Sequence, residues 1–209
     1  RYKANDALIS NSGKNFMDLP SGSVIGTSSI RRRSQVLSLR KDLSIKLLRG
    51  NVDTRIQKLK NQEYDVIILS LAGLARLNFE HLVTEVLDFK LFLPAACQGA
   101  VGVQAHKNSE IKKVFSLIND SQTQTECNAE RRVLKNINAN CNSPVSIYAN
   151  IIENEIALTF EIFDHQGNKI FKKSLFDDKK KYLNLSDKLS EDIISTLGQE
   201  KIDKCKSYF

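Results

Sequence analysis

No stretch of the 209-residue chain approaches the roughly 20 apolar residues that span a bilayer, and no charged-then-apolar leader opens it. Neither a helical membrane span nor secretion is indicated, so a cytoplasmic protein is expected. The four cysteines, Cys97, Cys127, Cys141 and Cys205, form no C-x-x-C pair and have no histidine at ligand spacing. That argues against zinc and against a disulfide framework, leaving free thiols and no metal. The three histidines, His81, His106 and His165, make no catalytic arrangement. The only methionine is Met17 and the first residue is Arg1, so a longer parent sequence is expected.

Among what is present, 41% hydrophobic and 26% charged residues suit a globular chain with a proper core, in one large domain or two ordinary ones. The net charge of +7 and pI near 9.2 call for anionic partners. Charge alone leaves nucleic acid, a membrane surface and small multivalent acids open.

The order of residues predicts alternating strands and helices at first. A turn at Asp18–Gly22 leads to a strand Ser23–Ile25, broken at Gly26, and Ser28 or Ser29 caps a helix from Ile30 towards Arg40. The same grammar returns with a strand Leu43–Leu48, a turn Arg49-Gly50-Asn51 and a helix Val52–Asn61. A third unit starts at Tyr64, where DVIILSLAGLARL carries the unbroken apolar run of a strand buried on both faces. Such alternation predicts a parallel sheet covered by helices. After Pro94, PAACQGAVGVQAH reads as a turn and a small-residue strand, followed by a helix Ile111–Ile118. Asn119-Asp120-Ser121 makes a hinge, and Thr123 with Glu126 has the capping-box spacing for a helix to about Ile137. From Val145 the period becomes that of strands: SIYANIIE, EIALTFEIFD and, after a turn at His165–Asn168, KIFKKSLF. A helix Leu183–Leu197 covers this sheet, and Asp177–Lys181 (DDKKK) is a solvated turn.

Arginines recur where strands give way to helices, which is where open α/β sheets bind ligands. Arg31 and Arg32 follow the first strand, Arg49 the second with Arg55 just inside its helix, and Arg76 the third. An exposed ion pair contributes only about 0–1 kcal/mol. A carboxylate gripped by a guanidinium in a cleft gains roughly 1.5–3 kcal/mol per charged hydrogen bond. Several such grips hold a small polyacid, whereas Arg33, about 100° further round the helix than Arg32, faces water. Nucleic acid fits less well, because aromatics are not interleaved with these arginines and no zinc finger or RNP-like run is present.

VIGTSSIRRRSQ, LLRGNVDTRIQKL, YDVIILSLAGLARL, LPAACQGAVGV and NCNSPV, in that order and spacing, strongly resemble the porphobilinogen deaminase (hydroxymethylbilane synthase) family, over essentially the whole chain. The resemblance implies a periplasmic-binding-protein-like α/β domain with a parallel or mixed sheet, then a small α+β domain with a three-stranded antiparallel sheet. It divides the chain into residues 1–93, carrying the arginine-lined cleft, 94–119, a returning segment of a largely absent first domain, and 120–209, carrying the cofactor cysteine. It also implies a dipyrromethane cofactor held by a thioether to Cys141, a sulfur on a loop between asparagines. Arg31, Arg32, Arg49, Arg55 and Arg76 match family arginines that contact acetate and propionate groups of cofactor and substrate. Thr27, Ser28, Ser29, Gly50 and Gln98 match positions offering hydroxyl, backbone or amide contacts.

The implied reaction deaminates porphobilinogen and joins the units head to tail on the cofactor, and hydrolysis releases linear hydroxymethylbilane. The partners implied are porphobilinogen and the growing polypyrrole chain, with no nucleic acid, no membrane and a monomer when complete. The family's catalytic aspartate has no match here, so no catalytic residue is assigned and the chain is expected to be a fragment. Segment 94–119 is then expected to be mobile or differently packed. Cys97 stands where the family commonly has glycine, Gln104 where it often has glutamate, and Asn140 where glycine is usual. The alternative is a non-catalytic module of periplasmic-binding-protein-like fold that binds small polyanions.

Overall fold

A computed structural model describes residues 1–106, 108, 109 and 111–205, without the side chains of 112 and 113. The first unit is a five-stranded sheet in the order β3-β2-β4-β1-β5, with β1 Asp6–Ser10, β2 Val24–Gly26, β3 Ser44–Lys46, β4 Val66–Ser70 and β5 Glu85–Val86. β2 pairs in parallel with β3 and β4, whereas β1 runs antiparallel to β4 and to β5. The sheet is therefore mixed, not wholly parallel. β1 and β5 lie outside the repeating strand-then-helix pattern, and nothing local in sequence announces pairing partners as distant as Val86 is from Ala7.

The apolar run of β4 does what its continuity predicts. Ile67 and Leu69 join Ala7 and Ile9 in a core with Leu48, Ile56, Leu59, Leu71 and Leu74. Val66 and Ile68 join Leu8 on the opposite face, in a core with Phe16, Ile25, Val36, Leu43 and Phe92. Helices α1 Ile30–Leu39, α2 Val52–Lys60 and α3 Leu71–Arg76 follow β2, β3 and β4. Their caps are local: Ser29 Oγ accepts from Arg32 N, Asn51 Oδ1 from Thr54 N and Ser70 Oγ from Gly73 N.

Residues 94–100 form tight turns, and residues 101–105 pair with neither edge of the sheet, so the expected small-residue strand is absent. Helix α4 covers Lys112–Ile118. α5 is Ser121–Asn136, capped by Asp120 accepting from Thr123 N, one turn before the expected box. The second unit is the three-stranded antiparallel sheet β6-β7-β8, with β6 Val145–Ile152, β7 Glu155–Phe163 and β8 Lys169–Asp178. A short 3₁₀ turn, Lys179–Lys181, follows, so Asp177 and Asp178 belong to a strand and only the lysines to the turn.

Alternation along β6 sends Val145, Ile147, Ala149 and Ile151 into a core with α5 and α6 (Tyr182–Leu197). α7, Gln199–Lys204, closes that core through Ile202 and was not expected. The opposite face of β6 reaches the first unit. Ser146 Oγ accepts from Gln35 Nε2 of α1 at 3.1 Å, and Ile147 N donates to Pro94 O at 3.0 Å. Gly167, in the β7–β8 turn, has φ 82°, and a Cβ there would lie 2.5 Å from Leu37 Cβ. Only glycine lets that turn lie on α1. Among the described residues no helix is long and apolar enough to cross a membrane.

Candidate functional site

Because β2, β3 and β4 are parallel, their carboxyl ends share one edge of the sheet. Thr27-Ser28-Ser29 leaves β2 there, Arg49-Gly50 follows β3 after Leu47 and Leu48, and α3 runs from the end of β4 to Arg76. Antiparallel β1 brings its first residue to the same edge, since Asp6 lies opposite Ser70. The fold thus gathers the strand-end arginines beside a carboxylate that sequence reading did not single out.

Asp6 is fully buried, and both neighbours on α1 are committed to it. Arg31 Nη1 donates to Asp6 Oδ2 at 2.7 Å, to Gln35 Oε1 at 2.9 Å and to Leu93 O at 3.0 Å. Arg32 donates through Nε and Nη2 to Asp6 Oδ1 at 3.0 and 2.8 Å, and through Nη1 to Ile68 O. With 4% and 9% exposure, these two guanidiniums are packed inside and do not reach into an open cleft as expected. Their burial follows from helix geometry: positions 31 and 32 face the sheet while Arg33 is half-buried. Burial works against ionisation of Asp6, but the two guanidiniums overcome it and hold its carboxyl well below the usual carboxylate range. One carboxylate against two cations leaves a net positive charge, and Arg31 Nε is buried without a partner among the described residues.

The other arginines are more open. Arg49 is exposed and Arg55 half-buried, and neither has an acidic partner among the described residues. Arg55 Nε donates to Gly50 O at 2.7 Å. Its pKa is lowered by burial and then by Arg32, so Arg32 and Arg55 repel one another across this edge. Gly50 has φ 123°, and a Cβ would meet Thr54 at 2.8 Å, so the turn that places Arg49 and Arg55 requires glycine. Arg76, exposed, donates to Gly99 O at 3.3 Å. Thr27 is buried and its Oγ1 accepts from Ser29 N, leaving exposed Ser28 and half-buried Ser29 at the surface of the turn.

Gln98 is a bridge. Its Nε2 donates to Ala4 O and to Asp6 Oδ1, its Oε1 accepts from Arg31 and its main-chain O accepts from Arg1 Nε. Cys141 lies exposed in the loop between α5 and β6, with Asn140 N donating to Ser143 Oγ and Asn142 N to Asn140 Oδ1. Five residues on, Ser146 meets Gln35, which itself bonds Arg31; an extended chain of that length spans at most about 17 Å. The Cys141 loop is thereby joined to the cationic edge through Ser146 and Gln35.

A cavity of about 590 Å³ lies elsewhere, lined by Arg1, Arg76, Gly99, Arg131, Cys97 and Cys127. Of the site residues expected from sequence, only Arg76 borders it. Sequence reading missed Asp6, Gln35 and Ser146, which are drawn into the site by partners 25 to 111 residues distant. It also missed Glu130, buried on α5, which accepts from Arg1, Cys97 N and Ala149 N.

Comparison with known proteins gives two family matches: "Porphobilinogen deaminase, dipyromethane cofactor binding domain" over residues 1–113, and "Porphobilinogen deaminase, C-terminal domain" over residues 124–195. The chain is 42% identical over 195 residues to a porphobilinogen deaminase of Clostridium kluyveri, covering 93% of this chain and 67% of the relative. It is 35% identical over 209 residues to one of Campylobacter jejuni, covering 99% and 68%. A third, from Geobacillus kaustophilus, is 40% identical over 174 residues, covering 82% and 56%. The chain spans roughly two thirds of the length of the first two of these.

Proposed function

We propose a function from one premise: the chain belongs to the porphobilinogen deaminase family. The protein deaminates porphobilinogen and joins the units head to tail to give hydroxymethylbilane, a transferase activity of tetrapyrrole synthesis. The non-catalytic polyanion-binding alternative is not favoured, since both matched domains are those of the enzyme.

The observation that carries the reading is the excess of cations at the carboxyl edge of β2, β3 and β4, where a buried pair shares one acid and Arg49 and Arg55 have none among the described residues. Such an edge suits a dipyrromethane, whose side chains are carboxylates, and the orphaned Arg31 Nε gives the buried pair a residual demand for an acceptor. Cys141 would hold that cofactor, and Arg49, Arg55 and the Ser28-Ser29 turn would receive its acids and those of the substrate. When bound, the cofactor supplies the pyrrole chain end to which substrate units are added.

Within that scheme each residue has a physical task. Arg49 and Arg55 present planar donors that grip a carboxylate at two points and fix the ring that carries it. Arg31 and Arg32 add field from behind, their geometry locked by Asp6, Gln35 and the Leu93 carbonyl. Gln98 ties this group to the turn after Pro94, and Arg76 holds the same turn through Gly99. Cys141 is accessible on a loop whose Asn140 and Ser143 bonds shape it without burying the sulfur. The separate hydrophobic cores before residue 93 and after residue 120 support the division 1–93, 94–119 and 120–209, and belong to the same reading as the periplasmic-binding-protein-like form of the first unit. A monomeric, cytoplasmic protein acting on small acids completes it.

The test is intact mass of the full-length protein together with colour in Ehrlich's reagent. A dipyrrole adduct present in the parent protein and missing from Cys141→Ala is the expected result. Turnover by a protein whose Cys141 thiol is unmodified would overturn the assignment.

A further inference from the structure

Thirty residues separate Cys97 from Cys127, yet the fold brings their sulfurs within 4.8 Å of each other, and the Cys97 thiol lies 3.8 Å from the Cys127 carbonyl oxygen. We propose that Cys97 and Cys127 are an oxidative modification site, closing an intramolecular disulfide that joins the turn after Pro94 to α5.

Three observations converge on this. First, Cys97 holds φ 60°, a left-handed conformation that costs a side chain energy, and that backbone directs its sulfur at α5. Second, both thiols are half-buried and line the 590 Å³ cavity, so a small reagent reaches them. Arg76 and Arg131 stand in the same wall, which favours a reagent carrying carboxylates. Third, Glu130, the nearest further ligand atom, is occupied: Arg1 binds both its oxygens, and Cys97 N and Ala149 N donate to it. That commitment makes the group a dithiol and not a three-ligand metal site. The neighbouring Cys97 thiol lowers the pKa of Cys127 against its burial, which marks Cys127 as the attacking sulfur.

The oxidant is a low-molecular-weight disulfide bearing carboxylates. Cys127 thiolate attacks one of its sulfurs, forming a mixed disulfide and expelling one small thiolate. Cys97, losing its proton to that thiolate, then attacks the Cys127 sulfur and expels the second. Two protein thiols are oxidised, and the reagent is reduced to two thiols. A disulfide needs about 2 Å between sulfurs, so closure requires rotation about the side-chain bonds of the pair.

The experiment treats the full-length protein with oxidised glutathione and maps peptides under non-reducing conditions. The expected result is a cross-linked peptide containing residues 97 and 127, a mass lower by about 2 Da, reversal by dithiothreitol and a melting midpoint raised by several degrees. In Cys97→Gly, which suits the left-handed backbone and so keeps the fold, and in Cys127→Ser, the remaining thiol instead retains one glutathione. Stable glutathione adducts with both thiols present, a cross-link through Cys141 or Cys205, or no reaction at either thiol would each overturn the proposal.

Discussion

Two buried charge clusters face each other across Gln98 with opposite arithmetic. On the sheet edge one acid, Asp6, meets two bases, Arg31 and Arg32. Beside α5, two acids, Glu126 and Glu130, meet one base, Arg1, at 3.7 and 2.7 Å. Burial opposes charge in both, but the outcome differs: the Asp6 carboxyl is held well below its usual range, while burial pushes Glu130 up despite Arg1 and two backbone donors. The comparison teaches that burial alone does not fix what a charge cluster is for. Its surplus sign does, and only the first cluster has charge left for an anionic ligand.

The sharpest way to break this contrast is Asp6→Asn, which leaves two buried guanidiniums without an acid. It should cost about 3–5 kcal/mol, lowering the melting midpoint by on the order of 10 °C. Glu130→Gln keeps an oxygen for the backbone donors and should cost less, about 1–3 kcal/mol. Equal losses in thermal melts would show that surplus sign does not matter. Next in size, Arg55→Lys and Arg49→Lys should weaken retention of a dipyrromethane acid roughly tenfold, because lysine lacks the two-point grip, while stability changes by less than about 0.5 kcal/mol. Titration with the free acid and a melting curve separate the two effects.

A smaller effect divides the clusters by pH. With its folded pKa depressed, Asp6 contributes stability above the unfolded carboxylate value of about 3.9, and this is lost as pH falls through the folded value. Glu130 has the opposite sign. Its raised folded value makes the native state bind a proton the unfolded state has released, so stability declines as pH rises from about 4.3 to the folded pKa. Denaturant midpoints against pH should lose the first slope in Asp6→Asn and the second in Glu130→Gln. Smallest of all, the exposed Arg132–Asp187 pair is a control, and Arg132→Ala should move the melting midpoint by no more than about 2 °C.

Much of the scaffold was legible. The run Val66-Ile-Ile-Leu-Ser70 reads as a strand covered on both sides, and its two faces do belong to separate cores. The alternation of β6 reads as a strand, and strand-end placement of Arg31, Arg49 and Arg76 follows from turns visible in the sequence. The match of motif order to a deaminase family was equally plain. The candidate site was legible as a set of cations and a loop sulfur, but not as a division of labour. Arg31 and Arg32 read as cleft residues because their acid partner lies 25 residues upstream in a strand that runs the other way. Residues 101–105 read as a strand from their side chains, yet a strand forms only where a neighbouring edge accepts its hydrogen bonds. Cys97 and Cys127 read as unrelated thiols because separation along the chain says nothing about separation in space.

The amino-acid order by itself determined most of the helices and the strands that precede or follow them, where cations punctuate them and which family the motifs spell, because periodicity, caps and turns are properties of near neighbours. The tertiary structure alone decided which cations are already neutralised, which remain available to an acid and which thiols meet. Those outcomes depend on burial and on partners dozens of residues away, where the cost of removing charge from water is settled by whatever the fold places opposite it.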